Sequence, residues 1–519
     1  MSLTSSLKTD NFSPGAGYRS LYLRLAGLIF ILITYLPFFV PLISDNEVSA
    51  ASLAISQSNF SLLWFSLKIS FCSAFFALLV GLPLGICLWD RSYWTLKIKP
   101  LLIFFLLLPP YMYNQGWAAL TSNPPPGMSF LSAPSGEIWL IFLLSTAFAP
   151  LCALIVSAAP LLLPTDTIES AYLVFSPDKV LGKIIFPMLK NLILALLLIT
   201  IVLILLDGTM GLSLQIPLYS TEITARFFSG ETVTNLIFGT WPLLLVSAIL
   251  SFAAIYLGNN YSLGNSKSLT KISNCFKINK LSKPLRQFLH ISSIATLVIC
   301  LLPVTGLVRQ SLFNASSGLS LATDGNAVLW SFFVAVITAA ISTIITVPLG
   351  ASFAGNYSSK IFPLFFIPLL IPASMSGIAW TASTARLSQS LTFLPESTAI
   401  IASHLARALP FAFIISVLAW KTSSQKSVRE STYFLTGHIG LKLRLELPFI
   451  LLNFVIAALI SLRELEASVL TIPPGGQTLP LRVFNLMHYG AGADVCRLSL
   501  GLAFVIALAT IIVIKRWPE

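Results

Sequence analysis

Long apolar runs, each about the length of a membrane crossing, alternate along this chain with short polar and basic stretches. Within the runs the apolar residues are continuous rather than alternating one by one, so they read as helices and not as barrel strands. At roughly 20 residues per crossing, they predict about twelve transmembrane helices. These fall at 21–43, 61–88, 101–121, 137–163, 190–212, 236–257, 288–308, 327–354, 361–383, 399–420, 448–469 and 498–514. The first run comes after Arg19 and precedes the small residues "VSAAS", as a cleaved signal peptide would. It is longer than a signal's apolar region, however, and the internal repeat of the chain needs it as a helix, so its retention is expected.

One polar phrase occurs twice. "IESAYLVFSPDKVLGKIIFP" (168–187) and "RESTYFLTGHIGLKLRLELP" (429–448) align without a gap, placing Glu169 on Glu430, a separation of 430 − 169 = 261 residues. Other features recur at similar spacing. Pro-Leu-Gly stands near the end of the second run (83–85) and of the eighth (348–350). An acidic residue and a Pro-containing segment come after the fifth run (from Asp207) and the eleventh (from Glu464). The expected architecture is therefore an all-α polytopic membrane protein built as two parallel six-helix repeats. Residues 1–257 form the N-terminal half, 258–287 a basic linker and 288–519 the C-terminal half.

Composition supports the membrane assignment. Apolar residues make up 56% of the 519 and charged ones only 10%, too few to solvate a soluble protein of this size. The formal net charge of +12 is concentrated in the same set of loops, among them Lys97 and Lys99, Lys179 and Lys183, and the linker. By the positive-inside rule those loops and both termini face the cytoplasm. The positive charge therefore implies membrane lipid as partner, with the linker against anionic head groups, and not nucleic acid.

Each copy of the repeated phrase reads as a short bent helix–turn–helix on the cytoplasmic face. Asp166 precedes Glu169, and Ser427 precedes Glu430, by three residues, which is capping-box spacing. Breakers come next, Ser176-Pro177-Asp178 in the first copy and Gly437 in the second, and Pro187 or Pro448 marks the start of the next crossing. A single such loop would be ordinary capping. Two in matching places predict a partner with two equivalent docking sites.

The phrase resembles the "EAA" loop of permease subunits in binding-protein-dependent ABC importers: Glu-Ala-Ala, three residues, Gly, nine residues, then Ile-x-Leu-Pro. The resemblance extends over essentially the whole chain and is closest to the fused, two-in-one permeases of ferric-iron and thiamine importers. The segment 461–490 is similar to the stretch after the eleventh helix in those proteins. Each loop here is one residue shorter than the family spacing; the first has Phe175 in place of the Gly, and the second has its Gly displaced to Gly437. The resemblance implies that Glu169, Ser170, Ala171 and Pro177, with Glu430, Ser431, Thr432 and Gly437, couple the chain to a homodimer of ABC ATPase subunits. It implies further a periplasmic substrate-binding protein that delivers cargo, and a bacterial inner-membrane location. Consistent with a borrowed motor, no Gly-x-x-x-x-Gly-Lys-Ser/Thr occurs in the chain. ATP-Mg would be held by the partner, with no cofactor on this chain and no catalysis by it.

Ionisable residues near the crossings supply the other candidates. His404 and Arg407 lie one helical turn apart in the tenth run, and Asp207 and the trio Arg463, Glu464 and Glu466 stand at the ends of the fifth and eleventh. One reading places them along a translocation path or at a periplasmic gate; the other has Arg407 snorkelling, His404 satisfied by backbone, and the acids paired with one another or with Arg226 and Arg482. The four histidines share no ligand spacing with carboxylates or cysteines, and the six cysteines show no Cys-x-x-Cys, so no metal site is expected. The alternative function is an ion-coupled secondary transporter with two parallel six-helix halves, which would place ionisable groups deep in its helices.

Overall fold

A computed structural model describes residues 16–44, 57–90, 93–122, 136–258, 276, 278–313, 321–353, 362–390, 397–422, 439–489 and 492–516. Among these the chain is helical, with no strand. Ten helices are long and apolar enough to cross a membrane, and an eleventh crossing is formed if one sharply bent pair is counted as a single span. The protein is therefore an all-α, multi-pass, membrane-embedded chain.

The first half runs α1 (Ala16–Ser44), α2 (Gln57–Cys87), α3 (Tyr93–Leu107), α4 (Pro110–Ser122) and α5 (Glu137–Ala158). It continues through α6 (Thr165–Val174), α7 (Pro177–Val180), α8 (Phe186–Leu205), α9 (Thr209–Leu214), α10 (Tyr219–Phe228), α11 (Val233–Gly239) and α12 (Trp241–Gly258). The second half holds α13 (Lys283–Phe313), α14 (Leu321–Phe353), α15 (Ala373–Ser390), α16 (Thr398–Thr422), α17 (Ile439–Arg463), α18 (Glu466–Thr471), α19 (Leu479–His488) and α20 (Gly492–Arg516).

The third expected crossing, 101–121, is not one helix. It divides into α3 and α4 at Leu108-Pro109, because Pro109 and Pro110 both lack the N–H that would continue the helical ladder. The ninth, 361–383, breaks likewise: two 3₁₀ turns (Phe362–Phe365 and Ile367–Leu370) meet α15 at Pro372 with a bend of 97°. The two breaks share a pattern, Leu106-Leu107-Leu108-Pro109 with Trp117 and Leu369-Leu370-Ile371-Pro372 with Trp380, at 380 − 117 = 263 residues.

Glycines set how closely the helices approach. In the first Pro-Leu-Gly, a Cβ on Gly85 would lie 2.6 Å from the Val156 side chain on α5; in the second, a Cβ on Gly350 would lie 2.2 Å from Ser416 Oγ on α16. The motif thus permits tight α2–α5 and α14–α16 packing, the small-residue contact expected of helices in lipid.

The opening helix of each half packs against the other half. α1 lies on α14 and α15: the hydroxyl of Tyr22 donates to Ile344 O (2.7 Å) and that of Ser383 to Pro37 O (3.0 Å), while Phe30 is fully buried beside Phe365 and Phe413. α13 lies on α2 and α4, where Thr296 Oγ1 donates to Val80 O (2.9 Å). At the α4–α13 crossing a Cβ on Gly306 would come within 2.1 Å of Gly116 O, and one on Gly116 within 2.1 Å of Pro303 O.

Candidate functional site

At one end of the bundle the chain leaves α5 through a 3₁₀ turn and forms the predicted helix–turn–helix. α6 ends at Phe175, whose backbone is extended, and Ser176, also extended, precedes Pro177 at the first position of α7. The expected capping box does not form. Pro164 occupies the N-cap and Asp166 falls inside the first turn, where its own carbonyl accepts from the Ser170 hydroxyl (2.9 Å). Pro164 starts the helix early because its fixed φ suits a helix boundary.

Pro187 stands in the first turn of α8, as expected, but α8 does not start afresh there: the helical run is continuous from Pro177 to Leu205. A π-turn at Leu181–Ile185, in which Phe186 N–H donates to Leu181 O, shifts the ladder by one residue just ahead of the proline that cannot donate.

Ile168 and Ala171 turn inward, Glu169 is half-buried and Ser170 is exposed. Beyond them Leu173, Val174 and Phe175 stand 87%, 75% and 49% exposed, an apolar tip on an otherwise polar loop. Ala171 therefore anchors the loop rather than presenting a contact. Glu430, Ser431, Thr432 and Gly437 of the second copy lie outside the described residues.

At the opposite end of α8, the ionisable candidates converge. Asp207, Glu464 and Glu466 interact electrostatically with one another; Arg463 faces Asp207 and Glu464, and Arg407 faces Glu464 and Glu466. Each acid also serves a helix N-terminus, where free N–H groups favour negative charge. Asp207 Oδ1 accepts from Thr209 N–H (2.8 Å) and hydroxyl (2.5 Å) at the start of α9. Glu464 Oε1 accepts from Ala467 N–H (3.2 Å) in α18. Glu466 reaches across to the first half, its Oε1 accepting from Gly208 N–H at 2.5 Å. The other oxygen, Glu466 Oε2, is buried without a hydrogen bond among the described residues.

The arginines take the complementary role at the two helix breaks. Arg463 donates to Leu106 O (3.2 Å), a carbonyl whose helical partner would be residue 110, a proline. Arg407 donates to Ile371 O (3.1 Å) beside the second break, with its Nε 3.7 Å from Glu464 Oε2. Cations thus meet orphaned carbonyls at helix C-terminal ends, where the dipole is negative.

Of the pairings anticipated for the acids, the one within their own charged group is present, with Arg463 beside Asp207 and Glu464, whereas Arg226 and Arg482 are engaged elsewhere, with Glu222 and Asp324. Pairing of Arg463 with the acids follows from their shared place at the span ends, but its bond to Leu106 O does not; Pro110, by removing a donor, was the available signal for that role. Arg407 does not snorkel, being committed to Ile371 and Glu464. His404 is 2% exposed, and side-chain hydroxyls rather than backbone satisfy it: Nδ1 contacts Ser461 Oγ (2.7 Å) and Nε2 contacts Ser468 Oγ (2.9 Å), tying α16 to α17 and α18. Among the described residues no group of three or more His, Cys, Asp or Glu could hold a metal ion.

Taken together, the arrangement can join the two halves at one end through a charged cluster and present a partner surface at the other. Comparison with family models, with curated proteins and with solved structures finds no match to the chain.

Proposed function

We propose that the chain is the membrane-spanning subunit of an ATP-driven importer of the ABC class, carrying both halves of the translocation path. The observation that carries this reading is the repeated polar phrase, the first copy of which protrudes as a helix–turn–helix with an exposed apolar tip. An exposed Leu-Val-Phe on a polar loop suits a groove in a cytoplasmic partner better than water. Two such loops 261 residues apart suit a symmetric pair of ATPase subunits.

Matching breaks at Pro109 and Pro372 and the reciprocal packing of α1 and α13 support two equivalent halves related by an axis along the membrane normal. In this reading the Asp207–Arg463–Glu466 cluster is the gate on the periplasmic side, and cargo arrives from a periplasmic binding protein. Movement of the loops by ATPase closure opens and closes that gate as the halves rock.

The test is the pair Glu169→Lys with Glu430→Lys. The double variant is expected to lose co-purification with the ABC ATPase that this reading requires and to lose ATP-driven uptake; unchanged association and uptake would refute the assignment.

A second reading is favoured by one observation. Glu464 and Glu466 are buried where helices break, as in carriers whose discontinuous helices bind coupling ions. An ion-coupled secondary transporter would take up cargo as the purified chain alone in liposomes under a proton or sodium gradient. The importer would not.

A further inference from the structure

The stretch that leads into α13 is built into the first half. Phe276 is 1% exposed and meets the Trp89 ring edge-on at 5.3 Å, and Trp89 Nε1 in turn donates to Val156 O at 2.8 Å. Ile278, the first residue of a 3₁₀ turn, and Leu281, just after it, are buried in the same apolar cluster. Ser282, just ahead of α13, donates its N–H to the carboxylate of Asp178 at 2.9 Å.

The contacts of these residues give them a role. The helix–turn–helix has one break in its helical ladder, the extended pair Phe175-Ser176, which separates α6 from α7. The apolar cluster holds residues from both sides of that joint, Ile168 and Ala171 before it and Val180 and Leu181 after it, together with Phe276, Ile278 and Leu281. The stretch therefore bridges the joint from outside, and the Asp178–Ser282 hydrogen bond fastens α7 to the start of α13.

We infer that Phe276 and residues 278–282 act as a brace that fixes the angle between α6 and α7, so that the loop transmits a push instead of folding at Phe175-Ser176. Phe276 and Asp178 are its positioning residues. The inference rests on the reading of this loop as the ATPase contact. Without the brace, the joint would absorb displacement, because two short helices in contact with water have little stability of their own.

The experiment is hydrogen–deuterium exchange on the purified full-length chain in lipid nanodiscs, monitored in peptides covering 165–180. Phe276→Ala and Asp178→Ala are expected to speed amide exchange in α6 on the order of tenfold while α2 and α5 exchange as in the wild type. Phe276→Leu and Asp178→Asn, which keep an apolar plug and an acceptor, are expected to restore slow exchange. Should Phe276→Ala prevent folding, Asp178→Ala alone decides, since that side chain is only half-buried. Wild-type exchange rates in the alanine variants would overturn the brace. A second arm measures co-purification of the ABC ATPase. Faster loop exchange in the variants with no ATPase bound even to the wild type supports the brace and refutes only the docking role.

Discussion

Replacing Arg463 with Met would remove the cation that holds the first helix break. In the structure its guanidinium donates to Leu106 O at 3.2 Å and faces Asp207 and Glu464. The Leu106 carbonyl has no alternative partner in its own helix, since residue 110 is proline. Losing a charged donor to a buried acceptor costs roughly 1.5–3 kcal/mol, and removing one partner from a buried ion cluster roughly 3–5 kcal/mol. These overlap, because the same group makes both contacts, so a net loss of about 3–5 kcal/mol is expected. The assay is reversible unfolding of the full chain in mixed detergent micelles, monitored by tryptophan fluorescence. Two companion variants identify the cause. Pro110→Ala restores an N–H opposite Leu106 O and should recover about 1 kcal/mol in the Arg463→Met background. Asp207→Asn, which rebalances the charge, should also recover part of the loss. A single Arg463→Met variant within about 0.5 kcal/mol of wild type, the range of an uninvolved surface change, would refute the argument that the arginine closes the break.

Other predictions concern packing, the buried histidine and the exposed tip. Gly306→Ala and Gly116→Ala each put a Cβ 2.1 Å from a backbone carbonyl oxygen and should destabilise by about 1–3 kcal/mol, whereas Gly239→Ala, with open space around it, should stay within about 0.5 kcal/mol in the same unfolding assay. His404→Leu leaves the Ser461 and Ser468 hydroxyls without their ring partner and should cost about 1–3 kcal/mol; if His404 is a tie between helices and not a cargo contact, uptake per folded molecule stays unchanged. Leu173→Asp and Phe175→Asp should leave stability within about 0.5 kcal/mol, because both side chains are exposed, yet weaken ATPase co-purification. Equal weakening by a control at the exposed Ile138 would show that the effect is not specific to the tip.

The sequence made the membrane class and the bent loop readable for simple physical reasons. Runs such as 137–163 have no reading as a soluble helix of that length, and Ser176-Pro177 leaves a helix little choice but to end. The broken third crossing was written in Pro109-Pro110, but hydropathy averages over a window and cannot see the loss of two N–H groups. The capping box failed for the opposite reason: the spacing of Asp166 and Glu169 was correct, and Pro164, which the pattern ignores, took the cap. The exchange of α1 and α13 between halves left no trace in the apolar runs, since lipid and a neighbouring helix ask for the same residues. Of the charged cluster, the ionisable residues were legible as costly groups near span ends that would pair, but the backbone carbonyls their arginines meet were not. Arg463 is joined to Leu106 across 357 residues, a distance no local pattern spans.

The two ends of the first half are mechanically one object. From Pro177 to Leu205 the chain is a single helical run of 29 residues, about 43 Å at 1.5 Å per residue. The π-turn before Pro187 keeps the helical ladder continuous past a residue that cannot donate. The base carries the loop, and two residues beyond the top stand Asp207 and then Gly208, whose N–H is held by Glu466 of the other half at 2.5 Å. Separating that pair by 1 Å brings it to 2.5 + 1.0 = 3.5 Å, beyond the distance at which a hydrogen bond is sound. A rigid run this long converts a small tilt at its base into more than that at its top. Uncoupling should therefore need no change at the gate: Gly182→Pro, placed at the π-turn to disrupt the run, should leave ATPase co-purification intact and abolish ATP-driven uptake. If uptake persisted in that variant, the run would not be the lever between the loop and the proposed gate.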